Sequence, residues 1–283
     1  MSRLVAVPNV SEGRDEDALD AIGAAFAGHA DVLDRSADPD HNRAVFFLAG
    51  APGQLHRALA AGAAEAAARI DLREHDGLHP RVGALDVAPI VFLEEEQRGA
   101  AIAEALLAAD AIGAAGIPVF LYGELAGGRT RAELRKGGPD GLSARGTAPD
   151  YGPAQLHPTA GATLVAARPP LIAFNLELAP PATLDDARRV AALIRAGGAE
   201  GLPGVRALGL ALERRDVIQV STNIEDHRAV TAADVLAAVA RHHPVARAEL
   251  VAPAPQAALA GWPEEVELRM PAAIEALLAG SGR

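Results

Sequence analysis

The 283-residue chain is half hydrophobic and 22% charged, an ordinary globular composition with length enough for two domains. It holds no cysteine, which excludes disulfides, thiolate nucleophiles and Cys-ligated zinc. A formal charge of −11 argues against nucleic acid, and no apolar run approaches the ~18 residues that would cross a bilayer.

The N-terminus, "MSRLVAVPNVSEGRDEDA", has no stretch apolar enough for a signal peptide, so the expectation is a soluble, cytoplasmic protein. "RLVAVPNV" (3–10) reads as a strand and 15–29 as a helix with acidic residues in its first turn. "DVLDRSA" (31–37) and "NRAVFFLAG" (42–50) are strand-like, and 52–70 is helical with Pro52 suited to its first turn. "GALDVAPIVFL" (83–93) is a strand, followed by a helix over 96–116 and a strand over 117–124. The segment 125–161 is rich in Gly and Pro and carries Arg129, Arg131, Arg135, Lys136 and Arg145 against three acidic residues. It reads as a functional loop or a solvated linker.

The second half repeats the order: strand 170–178, helix 183–198 capped by Thr183, strands 204–213 and 216–224, helix 231–243 capped by Thr231, strand 246–254. The predicted fold class is therefore α/β of the α+β kind. Two ferredoxin-like β-α-β-β-α-β subdomains, 1–168 and 169–283, each have an antiparallel sheet with helices on one face.

The chemistry concentrates in the first half's loops. "REHDGLHPRVGALDV" (73–87) places His75 and His79 four residues apart, the spacing of a helical metal pair, but Gly77 and Pro80 break any helix through them. His79 suits an acid/base role, with an imidazole that titrates near neutrality, whereas His75 reads as structural or substrate-orienting. "VPNVSEGR" (7–14) and "DPDHNRAVFF" (38–47) bring Asn9, Asp38, Asp40, His41, Asn42 and Arg43 to neighbouring strand ends. Asn9, Asp38, Asp40 and Asp86 are candidates to orient His79 or bind a cationic group, though Asp86 also reads as a satisfied buried carboxylate and Asn9 as a plain turn. Arg43 and Arg81 suit bidentate carboxylate binding. His41 and Arg43 are divided between anion binding and surface exposure. Asn175, odd in an apolar strand, is either a sheet-edge group or part of a groove wall.

"VPNVSEGR", "DHNRAVFFLAG", "HDGLHPRVGALDVAPI", "VFLYGE", "PDYGP", "LIAFNLEL" and "QVSTNI" follow one another in an order that resembles the formiminotransferase family over essentially the whole chain. The resemblance implies a folate-binding groove between two subdomains, a homodimer, and glutamate formimidoyltransferase activity: transfer of the formimino group from N-formimino-L-glutamate to N5 of tetrahydrofolate as co-substrate, with no metal. It implies His79, in "HPR", as the general acid/base. It also implies folate contacts along Gly152, Pro153, Ala154, Gln155, Leu156, His157, Pro158, Thr159, Ala160 and Gly161. Ala160 departs from the aromatic residue of the animal enzymes, which puts one contact in doubt. The residue chemistry suits the transfer, because one histidine near neutrality can take the proton from N5 and return it to the departing glutamate nitrogen. Two anionic substrates would also give the arginines a purpose in an acidic protein. The rivals are a metal-dependent hydrolase of N-formyl- or N-formiminoglutamate using His75, His79 and Asp86, and a folate-binding protein without transfer activity.

Overall fold

The strand-like run 3–10 is broken at Pro8, which has no N–H to give a ladder. It forms β1 (Leu4–Ala6) and β2 (Asn9–Val10). This computed structural model describes residues 3–269 and 272–280 and divides into two compact units, Met1–Arg168 and Pro169–Arg283.

In the first unit there follow α1 (Glu16–Ala27), β3 (Asp31–Asp38), β4 (Arg43–Gly50), α2 (Leu55–Arg69), β5 (Leu85–Val91), α3 (Arg98–Ala114), β6 (Val119–Leu121), α4 (Arg131–Arg135), α5 (Gly138–Ala144) and β7 (Thr163–Arg168). The Asp15 carboxylate caps α1 by accepting from the Ala18 N–H at 3.0 Å. β4 pairs antiparallel with β3 on one side and with β1 and β2 on the other; β5 pairs antiparallel with β1 and β2. Beyond β5 the sheet becomes parallel, β5 to β7 and β7 to β6.

Phe26, Phe46, Leu59, Ile90 and Ala105 join helices α1–α3 to one face of this sheet, with the Phe26 and Phe46 rings edge-to-face at 5.1 Å. Each such fully buried ring contributes roughly 1.5–3 kcal/mol. Along β5, β6 and β7, Val87, Phe120 and Leu164 alternate with that core and turn to the opposite face. There they pack with Leu134 of α4 and Leu142 of α5.

The first sheet is thus mixed, not antiparallel throughout, and has helices on both faces. The segment 125–161 is less irregular than its composition suggests, because Thr130 and Glu133 form a capping box that starts α4. Strand β7 has no counterpart among the predicted elements. Pro52 precedes α2 rather than opening it: Gly53 turns at φ +92° and the helix begins at Leu55.

The second unit holds β8 (Ile172–Leu178), α6 (Leu184–Ile194), β9 (Val205–Leu212), β10 (Val217–Ile224), α7 (Ala232–Ala240), β11 (Val245–Leu250), β12 (Glu267–Arg269) and α8 (Ile274–Gly280). Its sheet runs β12-β11-β8-β10-β9, antiparallel except for β11–β12. Thr183 and Thr231 cap α6 and α7 through boxes with Asp186 and Asp234. Helix α6 stops short of residue 198 because the Ala196 N–H leaves to bond the Val205 carbonyl at 2.7 Å. Strand β12 and helix α8 extend the unit beyond the predicted elements. Asn175 is not at a sheet edge: β8 lies between β10 and β11, where Asn175 faces Ser221 and Glu249.

Candidate active site

The first unit draws its polar loops together by backbone hydrogen bonds. The Ser11 hydroxyl donates to the Gly83 carbonyl at 2.7 Å and its N–H to the Ala84 carbonyl at 2.8 Å, joining the loop after β2 to the "HPR" loop. The His75 ring links that loop to the one before β4. Its Nε2 donates to the Asn42 carbonyl at 2.9 Å while Nδ1 accepts from the Gly77 N–H at 3.1 Å. Both ring nitrogens are therefore engaged, in the Nε2–H tautomer. Burial, then Arg81, lowers the His75 pKa and favours that neutral form.

Arg81 donates Nη1 to the Gly77 and His79 carbonyls at 2.8 and 3.0 Å, and Nη2 to the His75 carbonyl at 2.7 Å. It holds the shape of residues 75–79 by gathering three carbonyls.

His79 is half-buried against Arg43, whose Nη1 lies 2.7 Å from Nδ1 and also contacts Nε2. Burial, followed by Arg43, Arg135 and His41, pushes its pKa well below the ordinary 6.5. At neutral pH it is an uncharged base. Arg43 is steadied by Asn9, whose Oδ1 accepts from Nη2 and whose Nδ2 donates to the Val7 carbonyl at 2.8 Å. Burial and then Arg135 lower the Arg43 pKa to about 9, which leaves it a cation at neutrality.

Beside this pair lies His41, 8% exposed, its ring centroid 6.2 Å from that of His79. Its Nδ1 is 3.1 Å from Asp38 Oδ1, which also accepts from the Asp40 and His41 N–H groups at 2.8 and 2.9 Å. Burial raises the Asp38 pKa, but the His41 side-chain and backbone hydrogen bonds outweigh it and bring it down to about 2. Neither His41 nor Arg43 is a freely exposed surface residue.

Asp86 is 2% exposed, with Oδ1 accepting from the Val82 N–H at 2.8 Å and Oδ2 paired to Arg135 at the end of α4. Two of the three ligands that a metal hydrolase would need, His75 and Asp86, are thus engaged. Composition does not set Arg135 apart from the other basic residues of its segment. Its signal was the four-residue spacing from Arg131 behind a Thr130 cap, which puts both arginines on one helix face.

The stretch 152–161 closes on the same loop. Residues 157 and 161 exchange backbone hydrogen bonds of 2.9 Å in a tight turn, which binds the "HPR" segment through Ala84 N–H to Ala160 O and Ala162 N–H to Val82 O, both 2.9 Å. Gly161 has φ +68°, and a Cβ there would fall 2.1 Å from the Val82 carbonyl oxygen, so only glycine fits. Gly152, Pro153, Ala154, Gln155 and Pro158 are exposed, and Leu156, His157 and Thr159 are half-buried. Ala160 is 2% exposed and belongs to the core of the first unit. The departure that the resemblance implies thus falls at a packed position.

The model of the formiminotransferase domain, N-terminal subdomain, matches residues 3–168. The chain belongs to the formiminotransferase family. It is 37% identical to a glutamate formimidoyltransferase of Streptococcus pyogenes serotype M1 over 235 residues, covering 79% of this chain and 78% of that one. A glutamate formimidoyltransferase of Thermoplasma acidophilum is 33% identical, covering 81% and 78%. The formimidoyltransferase-cyclodeaminase of Rattus norvegicus is 36% identical, covering 92% of this chain but 51% of the relative. The chain spans about half the length of that two-activity formiminotransferase. The matched residues contain every loop described above, from Asn9 to Gly161.

Proposed function

We propose that the protein is a glutamate formimidoyltransferase, moving the formimino group of N-formimino-L-glutamate to N5 of tetrahydrofolate and releasing L-glutamate. The reading extends to a cytoplasmic homodimer serving histidine breakdown and one-carbon metabolism, as the family resemblance implies. The observation that carries it is the uncharged His79 held against Arg43, within the residues that the family model matches.

Transfer needs a proton removed from N5 as it attacks the formimino carbon, and a proton delivered to the glutamate nitrogen as it leaves. Once substrate draws its accepting nitrogen away from Arg43, His79, neutral at rest, takes the first proton and supplies the second, a role that typically contributes a factor of ~10²–10⁴. His41, held by Asp38, stands beside it as an orienting neighbour. Holding two substrates in register supplies roughly 7–11 kcal/mol more. The exposed residues 152–155, joined to the "HPR" loop by the turn at 157–161, support the reading of this stretch as the folate contact.

A direct test measures L-glutamate release from N-formimino-L-glutamate in EDTA, with and without tetrahydrofolate. Folate-dependent release that survives the chelator is expected. Release without folate, abolished by EDTA, would replace the transferase with a metal hydrolase, and folate binding without turnover would replace it with a binding protein.

A further inference from the structure

Three hydrogen-bond donors are buried without a partner: Nε of Arg43, which contacts His79, Nε of Arg135, and the hydroxyl of Tyr122, which packs in one cluster with Leu134, the residue before Arg135. Buried polar atoms in native proteins are overwhelmingly paired, so three around one site point to a ligand that accepts from them. Tyr122 is 5% exposed and the Arg135 side chain 10%. The Arg131 guanidinium lies 5.7 Å from the Tyr122 ring centroid, and Arg131 shares a face of α4 with Arg135. Arg135 and Arg131 both act on Arg43 electrostatically, with Asp86 acting against them. That carboxylate is already paired with Arg135, and the Arg43 side chain meets His79 and Asn9 but no carboxylate among the described residues.

We propose that Arg43, Arg135 and the Tyr122 hydroxyl form a subsite for the α-carboxylate of the amino-acid donor. The assignment rests on the transferase reading and specifies which part of which substrate the arginines hold. In N-formimino-L-glutamate the α-carboxylate sits on the carbon that bears the formimino nitrogen. With that carboxylate on Arg43, whose Nη1 is 2.7 Å from His79 Nδ1, the departing nitrogen lies beside the imidazole. The folate's own carboxylates are separated from N5 by a methylene and an aminobenzoyl ring, so they do not occupy this place while N5 reacts. Guanidinium groups suit a carboxylate because their donors match its two oxygens, and Tyr122 adds a third donor from the side.

The test determines KM for N-formimino-L-glutamate and for tetrahydrofolate separately in the wild type, Tyr122→Phe and Arg135→Lys. It also measures inhibition by L-glutamate and by 4-aminobutyrate, which lacks the α-carboxylate. Tyr122→Phe removes only an unpartnered hydroxyl, and Arg135→Lys keeps a cation for Asp86, so both retain the fold, as a melting curve checks. The donor KM and the glutamate inhibition constant should each rise about tenfold, the scale of one hydrogen bond to a charged group, while 4-aminobutyrate inhibition and the tetrahydrofolate KM stay put. A rise in the tetrahydrofolate KM alone would assign the cluster to the folate tail and overturn the proposal. So would unchanged values in both variants. If the wild type shows no folate-dependent turnover, the transferase reading fails first. Calorimetry with L-glutamate then decides the subsite: binding weakened by Tyr122→Phe sustains it, and no binding ends it.

Discussion

Arg43 Nη1 meets the His79 ring at Nδ1, 2.7 Å away, and at Nε2, and a guanidinium against a buried imidazole favours its uncharged form. A base built this way keeps working in mild acid. The acid limb of kcat/KM, which reports the free enzyme, should therefore lie below the ordinary histidine value of 6.5. The limb of kcat should lie higher, because a bound carboxylate offsets the arginines that depress His79. The same shift makes stability fall as pH drops below 6.5, where the unfolded chain takes up a proton that the folded His79 resists. Paired pH–rate profiles check the order of the two limbs.

Arg135 and Asp86 form a buried pair, their side chains 10% and 3% exposed. Breaking such a pair from one side leaves an uncompensated charge, at a cost of about 3–5 kcal/mol. Arg135→Met should destabilise by that much in urea, and adding Asp86→Leu should recover most of it. A single substitution without effect would show the carboxylate to be solvated.

Much of this arrangement was legible in the sequence because it is local. Short apolar runs located most strands, and Thr183 and Thr231 marked the two helices that they cap. The polar loops around Asn9, Asp38 and His79 stood out by their chemistry, and the structure gathers them. What was not legible depends on pairing across the chain. Residues 163–168 form a strand only because β5 and β6 accept them in parallel, and the antiparallel expectation for the first sheet missed that. Arg81, expected to hold a ligand, directs its Nη1 and Nη2 donors to three carbonyls of its own loop, a geometry that no spacing encodes. Arg135 meets Asp86 across 49 residues, so composition alone left its partner unknown.

Gly161 is the point where the 157–161 turn meets the "HPR" segment. Gly161→Ala would put a methyl group 2.1 Å from the Val82 carbonyl oxygen in a left-handed backbone conformation. The left-handed backbone alone costs about 1–3 kcal/mol, and relieving the clash adds to it. A lowered melting temperature, with faster amide exchange at Ala84 and Ala162, is the expected outcome.

Asp38 sets an acid limit of its own. Its pKa falls from 3.8 unfolded to about 2 folded, so its contribution is complete above pH ~4 and is lost as pH falls toward 2. That contribution is about 2 kcal/mol. The stability gap between wild type and Asp38→Asn should be full at pH 6 and closed near pH 2, as denaturant titrations across that range will measure.

The most direct test of the account is the folate-dependent turnover of His79→Ala beside that of the wild type, at saturating substrates. The proton-transfer role predicts a fall in kcat of roughly 10²–10⁴ with the fold and folate affinity retained. A variant that turns over at the wild-type rate would contradict it and move the proton transfer to another group, with His41 the nearest ring.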